Sequence, residues 1–473
     1  MSIDTTTAVH QALAGLQLVE HELLLFAAFW FIVSALDELA IDISWLVLRL
    51  TGKTREPILT QYEEARPLAG KAAVFVPAWS EADVIGAMIS HTLTSWPQRE
   101  LVIYVGCYAN DPATTEAAMK AATGDSRVRI VIHDRIGPTT KADCLNRLYA
   151  ALCVDEERGD YRFRSIVLHD AEDMVHPAAL QLIDNGLSGA DFVQLPVRPE
   201  PQAASHWIAG HYADEFAEAH AKAMVVRNAL GAAIPAAGVG CGFARDKLAE
   251  LAHRNELTGT SGPFAADCLT EDYELGLALS RGESKGRFLR FRDHLGELVA
   301  TRAFFPATLE QSVRQKTRWI HGIAFQGWDR LGWSGGAVDF WMAVRDRRGP
   351  LSAIVLTVAY SLLVIEALLG FARLGGWQEA LVLSPLLKTM LAISFGAFAW
   401  RALWRFGFVA QEYGLLEGLR AVLRIPVANV ISIMSGRRAL FAYVQTLRGR
   451  DLLWDKTEHT RHPAELAQKV IAS

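Results

Sequence analysis

Two apolar segments, 351–374 and 379–400, constrain the fold of this chain more than any other feature of its sequence. Each is long enough to cross the hydrocarbon core of a bilayer, which takes about 20 residues of helix. Gly375-Gly376 separates them, as expected for the turn of a helical hairpin. Arginines flank both outer ends, at Arg345, Arg347, Arg348, Arg401 and Arg405. Because basic residues favour the cytoplasmic side, the pattern predicts a membrane hairpin with two cytoplasmic ends.

A third apolar region lies at the N-terminal end, where 23–36 and 39–50 are separated by carboxylates. We interpret it as one tilted transmembrane helix. Charges at bilayer depth cost about 2.5 to 3.5 kcal/mol each, so Asp37, Glu38 and Asp42 require a protein-facing or interfacial position. The first Lys or Arg of the chain is Arg49, which predicts an N-terminus outside and a cytoplasmic domain after the helix.

The segment 415–447 is apolar but interrupted, at Arg420, Arg424, Pro426, Arg437 and Arg438. This composition fits either interfacial helices or a broken span. We therefore expect an N-terminal transmembrane region 1–50 and a cytoplasmic domain 51–350 with interfacial helices near its end. The region 351–473 would hold the hairpin, the interrupted segment and a short cytoplasmic tail. A soluble protein in which the apolar segments are buried core helices is the alternative.

Short apolar runs alternate with helical patterns through 51–350, which is typical of an α/β domain. The predicted strands are 72–77, 101–106, 128–133, 166–169 and 192–196, and the predicted helices are 81–95, 113–122 and 141–153. This order predicts a mostly parallel sheet, in which ligands bind beyond the carboxyl ends of the strands. The loop 78–80 follows the first strand, and Ser80 is predicted to cap the next helix.

Charge and cysteine content narrow the function classes. The net charge of -5 and the pI near 6.3 provide no overall basic field, so we expect no nucleic-acid partner. The five cysteines are scattered and form no C-x-x-C pair. An odd, scattered set suits a reducing compartment better than a disulfide framework.

An acidic cluster, His169-Asp170-Ala171-Glu172-Asp173, follows the strand-like run 165–168. Carboxylates at a strand end can turn their oxygens toward one cation, and Asp170 and Glu172 have the spacing for it. A hard Mg²⁺ or Mn²⁺ held there would neutralise the charge of a departing diphosphate. The alternative is an acidic turn in which Asp173 caps the next helix.

A second acidic group, Thr270-Glu271-Asp272, precedes the apolar series of another predicted helix. An acidic first turn capped by Thr270 is ordinary helix chemistry, because carboxylates stabilise the positive end of a helix. A carboxylate at the mouth of a helix could also act as the general base that deprotonates an acceptor hydroxyl. On these residues alone both interpretations stay open.

Gln315, Arg318 and Trp319 form a Q-x-x-R-W pattern on a predicted helix shortly before the membrane hairpin. Gln315 and Arg318 are neighbours on one face, whereas Trp319 points away, so the three share a site only through a bend or at a face edge. An indole offers an apolar surface to a sugar ring, and a guanidinium binds phosphate oxygens. The alternative is an interfacial helix whose Trp319, Trp328 and Trp333 lie among lipid headgroups.

Taken in order, these motifs resemble those of glycosyltransferase family 2, in the processive, membrane-integrated form that includes cellulose and hyaluronan synthases. The resemblance covers about residues 70 to 335. Within that group the chain is similar to the glycosyltransferase domain of bacteriophage adsorption protein B type proteins, through the acidic cluster, 110–114 and 454–457. The resemblance implies a GT-A fold, a nucleotide-sugar donor, commonly a UDP-sugar, and transfer that inverts the anomeric carbon.

The resemblance also assigns the donor side of the site. The loop after the first strand resembles the family's donor-binding loop, which implies that Pro77, Ala78 and Glu81 lie at the nucleotide. Asp111 takes the place of a second nucleotide-contacting acid, although N-D-P replaces the family's usual D-D-G. Lys141 resembles the lysine near the diphosphate, and the alternative for it is a surface lysine at a helix start.

The family's metal-binding D-x-D motif corresponds to Asp170-x-Glu172, with Asp173 as a further candidate for the second carboxylate ligand. The implied cofactor is Mg²⁺ or Mn²⁺. Asp272 matches the family's catalytic base, and Glu271 beside it is the second catalytic candidate. The family's clamp on acceptor and diphosphate is matched by Gln315, Arg318 and Trp319.

The implied protein is a multi-pass glycosyltransferase of the bacterial inner membrane with a cytoplasmic catalytic domain. Its expected partners are a nucleotide-sugar donor, a polysaccharide or lipid-linked acceptor, membrane lipid and an envelope export partner. A second hypothesis is a non-catalytic envelope assembly or phage-adsorption component with a vestigial transferase site. A third is a lipid-modifying transferase that adds one sugar, which shares all the same residues.

Overall fold

The computed structural model describes residues 5–54, 56–61, 66–333, 335–377, 382–449 and 459–465. The strands are β1 (Ala72–Pro77), β2 (Leu101–Tyr108), β3 (Val128–His133), β4 (Ser165–Leu168), β5 (Phe192–Gln194), β6 (Val197–Pro199), β7 (Cys241–Ala244), β8 (Gly286–Phe288) and β9 (Thr301–Ala303). The helices before β7 are α1 (Thr5–Leu50), α2 (Ile85–Ser95), α3 (Pro112–Ala122), α4 (Lys141–Gly159), α5 (Ala179–Gly186), α6 (Gly210–Glu218), the π-helix π1 (Ala219–Ala223) and α7 (Met224–Ala229).

The helices after β7 are α8 (Arg245–Leu257), α9 (Glu271–Ala278), α10 (Leu309–Ile320), the π-helix π2 (His321–Gln326), α11 (Gly327–Leu331), α12 (Ala337–Arg347), α13 (Gly349–Leu374), α14 (Pro385–Tyr413), α15 (Leu415–Leu423) and α16 (Ile425–Leu447). Strands and helices alternate from β1 to β4, as the sequence predicts. From α10 onward the described chain is helical.

The centre of the α/β domain is a seven-stranded sheet with the strand order β3-β2-β1-β4-β7-β5-β8. Its first four strands are parallel, as predicted. β7 runs antiparallel to both β4 and β5, so the whole sheet is mixed. Along β1, Val74 and Val76 pack into one hydrophobic cluster and Phe75 into another. Because side chains alternate along a strand, the sheet is buried on both faces.

The start of α2 differs from the prediction. A helix capped by Ser80 is expected to begin at Glu81, but α2 begins at Ile85 with Val84 as its N-cap. Ser80 adopts a φ of 52°, and its backbone N–H donates to Asp111 Oδ2 at 2.6 Å. The chain therefore makes an extra turn between β1 and α2, and the predicted Ser80 cap is wrong.

Three helices of the described residues, α1, α13 and α14, are long and apolar enough to cross a membrane. α13 and α14 correspond to the predicted hairpin. The predicted start of its second span, at residue 379, lies outside the described residues, and α14 begins at Pro385. α15 and α16 meet the criterion only as a pair bent by 51°, which fits the broken-span interpretation of that segment.

The three carboxylates that interrupt α1 contact cationic and indole groups of other elements. Asp42 accepts hydrogen bonds from Lys222 Nζ at 2.6 Å and from Trp400 Nε1 at 2.8 Å. The same holds for Asp37 and Glu38, whose cationic partners are Arg345, Arg348 and Arg401. These contacts join α1 to the α/β domain and to α14. The predicted protein-facing position of the carboxylates is therefore confirmed.

Candidate active site

A cavity of about 430 Å³ lies beyond the carboxyl ends of β1 and β4. Parallel strands leave a crevice at this edge of a sheet, and the loops that follow the strands form its walls. The predicted site residues that line the cavity are Pro77, Ala78, Glu81, Lys141, Asp170, Glu172, Asp173, Glu271, Asp272, Gln315, Arg318 and Trp319. Residues that are up to about 240 positions apart in the sequence thus share one site.

Asp111 is the one predicted site residue that does not line this cavity. It is the N-cap of α3, where its side chain accepts from Thr114 N, and it also accepts from Ser80 N. Thr114 Oγ1 in turn accepts from Glu81 N at 2.9 Å. The start of α3 therefore holds the loop after β1 in position, and Asp111 contributes support to that loop.

The acidic loop after β4 is held by the side chain of Asp173. Its Oδ2 atom accepts from Asp170 N at 2.9 Å and lies 2.9 Å from His169 Nδ1. The carboxyl group is almost fully buried, and burial raises its pKa. The alternative that Asp173 caps the next helix is wrong, because α5 begins at Ala179 with Ala178 as its N-cap.

Lys141 lies among carboxylates at the first turn of α4. Thr140 caps this helix by accepting from Asp143 N at 3.2 Å, and the Lys141 ammonium forms an ion pair with Asp170. Burial alone would lower the pKa of Lys141, but Asp170, Glu271 and Asp272 raise it well above its ordinary value. Lys141 is thus a cation of the cavity wall, and the surface-lysine alternative does not hold.

Glu271 and Asp272 lie at the N-terminus of α9. Thr270 is the N-cap, but its hydroxyl makes no capping hydrogen bond, and Tyr273 N donates to Asp272 Oδ1 at 2.8 Å. Burial raises the pKa of Asp272, and burial together with the Asp272 charge raises the pKa of Glu271 to about 8. Glu271 therefore holds its proton to about neutral pH, and the pKa of Asp272 beside it is shifted in the same direction.

Gly238 allows Asp272 and Lys141 to approach the same backbone. It has a φ of 74°, which an L side chain rarely adopts. A Cβ atom at this position would lie 2.4 Å from Asp272 Oδ2 and 3.2 Å from Lys141 Nζ. Only glycine fits here without displacing the carboxylate.

The Q-x-x-R-W residues all line the cavity from α10. Gln315 and Trp319 are four positions apart in the regular helix α10 and share one face of it with Arg318, so the expectation that Trp319 points away from Gln315 is wrong. The π-helix π2 begins immediately after α10. Insertions of this kind widen a helical turn and are frequent at functional sites. The headgroup alternative for Trp319 does not fit this position, whereas Trp328 and Trp333 contact each other outside the cavity wall.

Sequence reasoning missed the aromatic wall beside Trp319. The rings of Tyr212 and Phe216 lie 6.0 and 6.4 Å from the Trp319 ring, and Phe305 packs against both. Phe216, Phe305 and Trp319 line the cavity. The spacing of Tyr212 and Phe216, one helical turn apart, was the only available signal, and it is the same for an ordinary buried helix face.

A histidine of the C-terminal segment was also missed. His459 Nδ1 lies 3.1 Å from Glu81 Oε1, and His459 Nε2 lies 3.2 Å from Glu172 Oε1. Burial raises the pKa of Glu172 to about 8, which His459 opposes and the nearby carboxylates reinforce. No sequence signal connects His459 to Glu81, because 378 positions separate them.

The donor atoms at this point fit a divalent cation. Ligand atoms of Glu81, Glu172 and His459 all lie within 4.8 Å of one another. Two carboxylate oxygens and one imidazole nitrogen are a set that Mn²⁺ accepts readily and Mg²⁺ less so. Asp170, the other half of the acidic motif, begins the same loop and faces Lys141.

The architecture is similar to that of a solved glycosyltransferase. The mannosyltransferase PcManGT from Pyrobaculum calidifontis, solved in complex with GDP-Man and Mn²⁺, matches with a TM-score of 0.53. The match covers 89% of this chain and 99% of that chain at 14% sequence identity. The expected GT-A fold is confirmed.

Two curated relatives are similar in sequence along most of the chain. They are bacteriophage adsorption protein B of Escherichia coli strain K12 and bacteriophage N4 adsorption protein B of Escherichia coli O157:H7. Each is 34% identical over 453 residues, which covers 90% of this chain and 60% of the relative. The chain thus spans about three fifths of the length of these relatives.

The family model described as glycosyltransferase like family 2 matches residues 69–322. This range is more than half of the 473 residues and contains the loop after β1, the acidic loop, the start of α9 and the whole of α10. The predicted membership is confirmed. The chain belongs to the glycosyltransferase like family 2.

Proposed function

We propose that this protein is an inverting glycosyltransferase of the bacterial inner membrane. It transfers a sugar from a nucleotide-sugar donor, either a UDP-sugar or a GDP-sugar, to a polysaccharide or lipid-linked acceptor. Asp272 is the general base. The observation that carries this proposal is the half-buried Asp272 carboxylate at the cavity, with Lys141 and Arg318 as nearby cations.

The reaction follows from these positions. An acceptor hydroxyl attacks the anomeric carbon while its proton passes to an Asp272 oxygen. The bond from that carbon to the nucleotide diphosphate breaks, and the diphosphate leaves with the electron pair. Lys141 and Arg318 stabilise the charge on the leaving group, as positioned cations do where negative charge develops. The half-buried carboxyl of Asp272, whose pKa is raised, is a stronger base than a fully exposed aspartate.

The chemistry of the cavity wall supports an assignment of donor and acceptor. The loop after β1 and the acidic loop provide Glu81 and Glu172, and a divalent cation held there would supply charge neutralisation of the diphosphate. Another part of the wall is aromatic, with Phe216, Phe305 and Trp319, and such surfaces stack on sugar rings. We assign the acidic part of the wall to the donor and the aromatic part to the acceptor.

The membrane topology is part of the proposal. The arginines at the outer ends of α13 and α14 support a cytoplasmic catalytic domain under the positive-inside rule. The Asp42 contacts with Lys222 and Trp400 hold α1 and α14 against that domain. An acceptor anchored in lipid, or a polymer passed to an export partner, could reach a cavity in this position.

The first test is release of nucleotide from a panel of UDP-sugars and GDP-sugars by the detergent-purified chain with Mn²⁺ or Mg²⁺. We expect release from one donor class that requires the metal and is lost in Asp272→Asn. Asp246→Asn is the matched control, since Asp246 is exposed on α8 and pairs with Arg162. Release that persists in Asp272→Asn would contradict the assigned base. Characterising the product separates a polymer synthase from a transferase that adds one sugar.

The names of the curated relatives favour a second candidate function. Both are called bacteriophage adsorption proteins, so this chain could be a non-catalytic envelope component that supports phage adsorption. Such a component should tolerate Asp272→Asn in an adsorption assay. If adsorption requires a product of catalysis, the same substitution should abolish adsorption while the protein still inserts in the membrane.

A further inference from the structure

Helix α6 has an aromatic face and an acidic face. Tyr212 and Phe216 are four positions apart and share the face whose rings contact Trp319. Asp214 lies between them in the sequence, and two positions along a helix turn a side chain by about 200°, to the opposite side. The group that holds Asp214 therefore acts on this helix from behind the aromatic part of the cavity wall.

That group is Arg424, which lies where the two bent apolar helices meet. It is the C-cap of α15 and the N-cap of α16, and its side chain is fully buried. Its Nε and Nη2 atoms donate to the two carboxylate oxygens of Asp214 at 2.9 and 2.6 Å. Two parallel bonds of this kind fix the orientation of a carboxylate as well as its position.

The remaining N–H groups of Arg424 are also used. Nη1 donates to the backbone oxygen of His206 at 2.9 Å and to Glu417 Oε2 at 2.8 Å, and Nη2 donates to the backbone oxygen of Glu417 at 3.3 Å. All five N–H donors of the guanidinium therefore have an acceptor. One side chain thus joins α6, the turn before it and α15.

Gly210, at the start of α6, provides the space for this contact. A Cβ atom there would lie 2.9 Å from Arg424 Cζ and closer still to Nη1. Any larger residue at this position must therefore displace the guanidinium.

α15, which ends at Arg424, has an apolar outer surface. Four of its side chains are 57% to 71% exposed, namely Leu415, Leu416, Leu419 and Leu423. Such a surface on an amphipathic helix is suited to a membrane interface. Arg424 thus connects an element of this kind to the helix that carries Phe216.

We infer that Arg424 is a positioning residue for the aromatic part of the cavity wall. Acting through Asp214, it holds α6 so that Tyr212 and Phe216 stay against Trp319. The inference rests on the proposed function, which assigns this part of the wall to the acceptor, and extends it to a residue that does not line the cavity.

The first test follows Trp319 without turnover, by fluorine NMR of the full chain labelled with fluorotryptophan. We expect the Trp319 resonance, assigned with Trp319→Phe, to shift or broaden in Arg424→Lys, which keeps the charge but loses the planar fork. It should also shift in Gly210→Ala, which keeps every ionisable group. A Trp319 resonance that is unchanged in both variants would overturn the inference.

Two control variants separate this effect from a general response to substitution. Arg420→Met removes an arginine one turn earlier on α15, and Gly407→Ala adds a Cβ that would meet nothing within 4 Å. Both should keep the wild-type Trp319 resonance, and shifts as large as those of Arg424→Lys and Gly210→Ala would contradict the inference. The double variant Asp214→Leu with Arg424→Met guards against misfolding, because apolar replacement of a buried ion pair is often neutral for stability. Its Trp319 resonance should shift as well.

Turnover gives a second measurement. We expect nucleotide release per folded molecule, counted in the fluorine spectrum, to fall by about tenfold or more in Arg424→Lys, since a misplacement of about 1 Å can cost a hundredfold in rate. The KM for the donor should stay unchanged, because the donor part of the wall lies on other loops. A merely structural role would lower the folded fraction and leave kcat per folded molecule unchanged, and that result would overturn the inference.

The two measurements distinguish this inference from the proposed function. If no donor supports nucleotide release, the proposed function fails, and the fluorine spectrum still decides whether Arg424 sets the position of Trp319. If release is normal and the Trp319 resonance does not move in Arg424→Lys and Gly210→Ala, the inference fails and the proposed function stands.

Discussion

Asp37, Glu38 and Asp42 of α1 and the carboxylates of the candidate active site are buried or partly buried, yet they are balanced in opposite ways. Asp37, Glu38 and Asp42 are surrounded by four cationic side chains and two indole N–H groups, at Lys222, Arg345, Arg348, Arg401, Trp341 and Trp400. In the cavity, Asp170, Glu271 and Asp272 share Lys141. A buried charge is stable when it is paired and costs free energy when it is not.

The difference in the number of nearby cations separates the carboxylates that stabilise the structure from those that are available for chemistry. Asp37, Glu38 and Asp42 each face cationic side chains of other elements, so these groups hold α1 to the domain. Burial and, after it, neighbouring carboxylates raise the pKa of Glu172 and of Glu271 to about 8. Negative charge of this kind attracts cations and protons, which is what the proposed metal site requires.

The largest expected effect is on turnover, in the cavity. Asp272→Asn should lower the rate of nucleotide release by about 10²-fold to 10⁴-fold, because a positioned general base contributes that much. Its melting temperature should stay close to that of the wild type, since Lys141 keeps Asp170 and Glu271 as partners. A melting temperature of Asp272→Asn far below that of the wild type would mean that Asp272 stabilises the fold as the α1 carboxylates do. The two regions would then not differ in this respect.

The second effect is on stability, at α1. Lys222→Met leaves Asp42 and Glu218 buried without their shared cation, and breaking such a pair costs about 3 to 5 kcal/mol. We expect a clearly lower melting temperature in detergent. Lys247→Met is the control, because Lys247 forms a surface pair with Glu250 and should melt like the wild type. Equal melting of Lys222→Met and Lys247→Met would show that the α1 carboxylates are not structural.

The third effect concerns space beside the general base. In Gly238→Ala the new Cβ would displace the Asp272 carboxylate, and a misplacement of about 1 Å can cost a hundredfold in rate. We expect a tenfold to hundredfold lower kcat. Gly231→Ala is matched in backbone strain, with a φ of 70° against 74°, and its Cβ would meet nothing within 4 Å. Equal kcat values for the two variants would contradict the role of close approach.

The part of the α/β domain from β1 to β4, where strands and helices alternate, was predictable because it depends on local sequence patterns. The bounds of β1 and β3 agree with the sequence prediction, since each is a short apolar run between turns. The acidic loop follows β4 directly, so the carboxyl-end rule was enough to bring Asp170 and Glu172 to the cavity. Asp272 and Arg318 were identified from the order of the family's motifs along the chain, because no single motif establishes the site.

The features that could not be predicted from the sequence depend on contacts between distant parts of the chain. β7 has only four residues and begins with Cys241-Gly242. No local sequence pattern shows that this strand lies antiparallel between β4 and β5. His459 contacts Glu81 although the apolar helices α13 and α14 lie between the two residues in the sequence. The balance of charge at Asp42 likewise depends on Lys222, which is 180 positions away.

The smallest expected effect is a pH dependence of stability, and it separates the two regions without any substrate. Burial and Asp272 raise the pKa of Glu271 to about 8 from an ordinary value of 4.5. Between these values the folded chain holds a proton that the unfolded chain has released, so the contribution of Glu271 is full below about pH 4.5 and is lost as pH rises through about 8.

Glu271→Gln removes this titration and should therefore lose less stability between pH 5 and pH 9 than the wild type does. The difference should be about a few degrees in melting temperature, measured in EDTA so that no cation binds the carboxylates. Glu250→Gln is the control, because Glu250 is largely exposed and should keep the wild-type slope. A Glu271→Gln slope equal to that of the wild type would mean that the cavity compensates its negative charge as fully as α1 does. In that case excess charge could not be what distinguishes a catalytic carboxylate from a structural one in this fold.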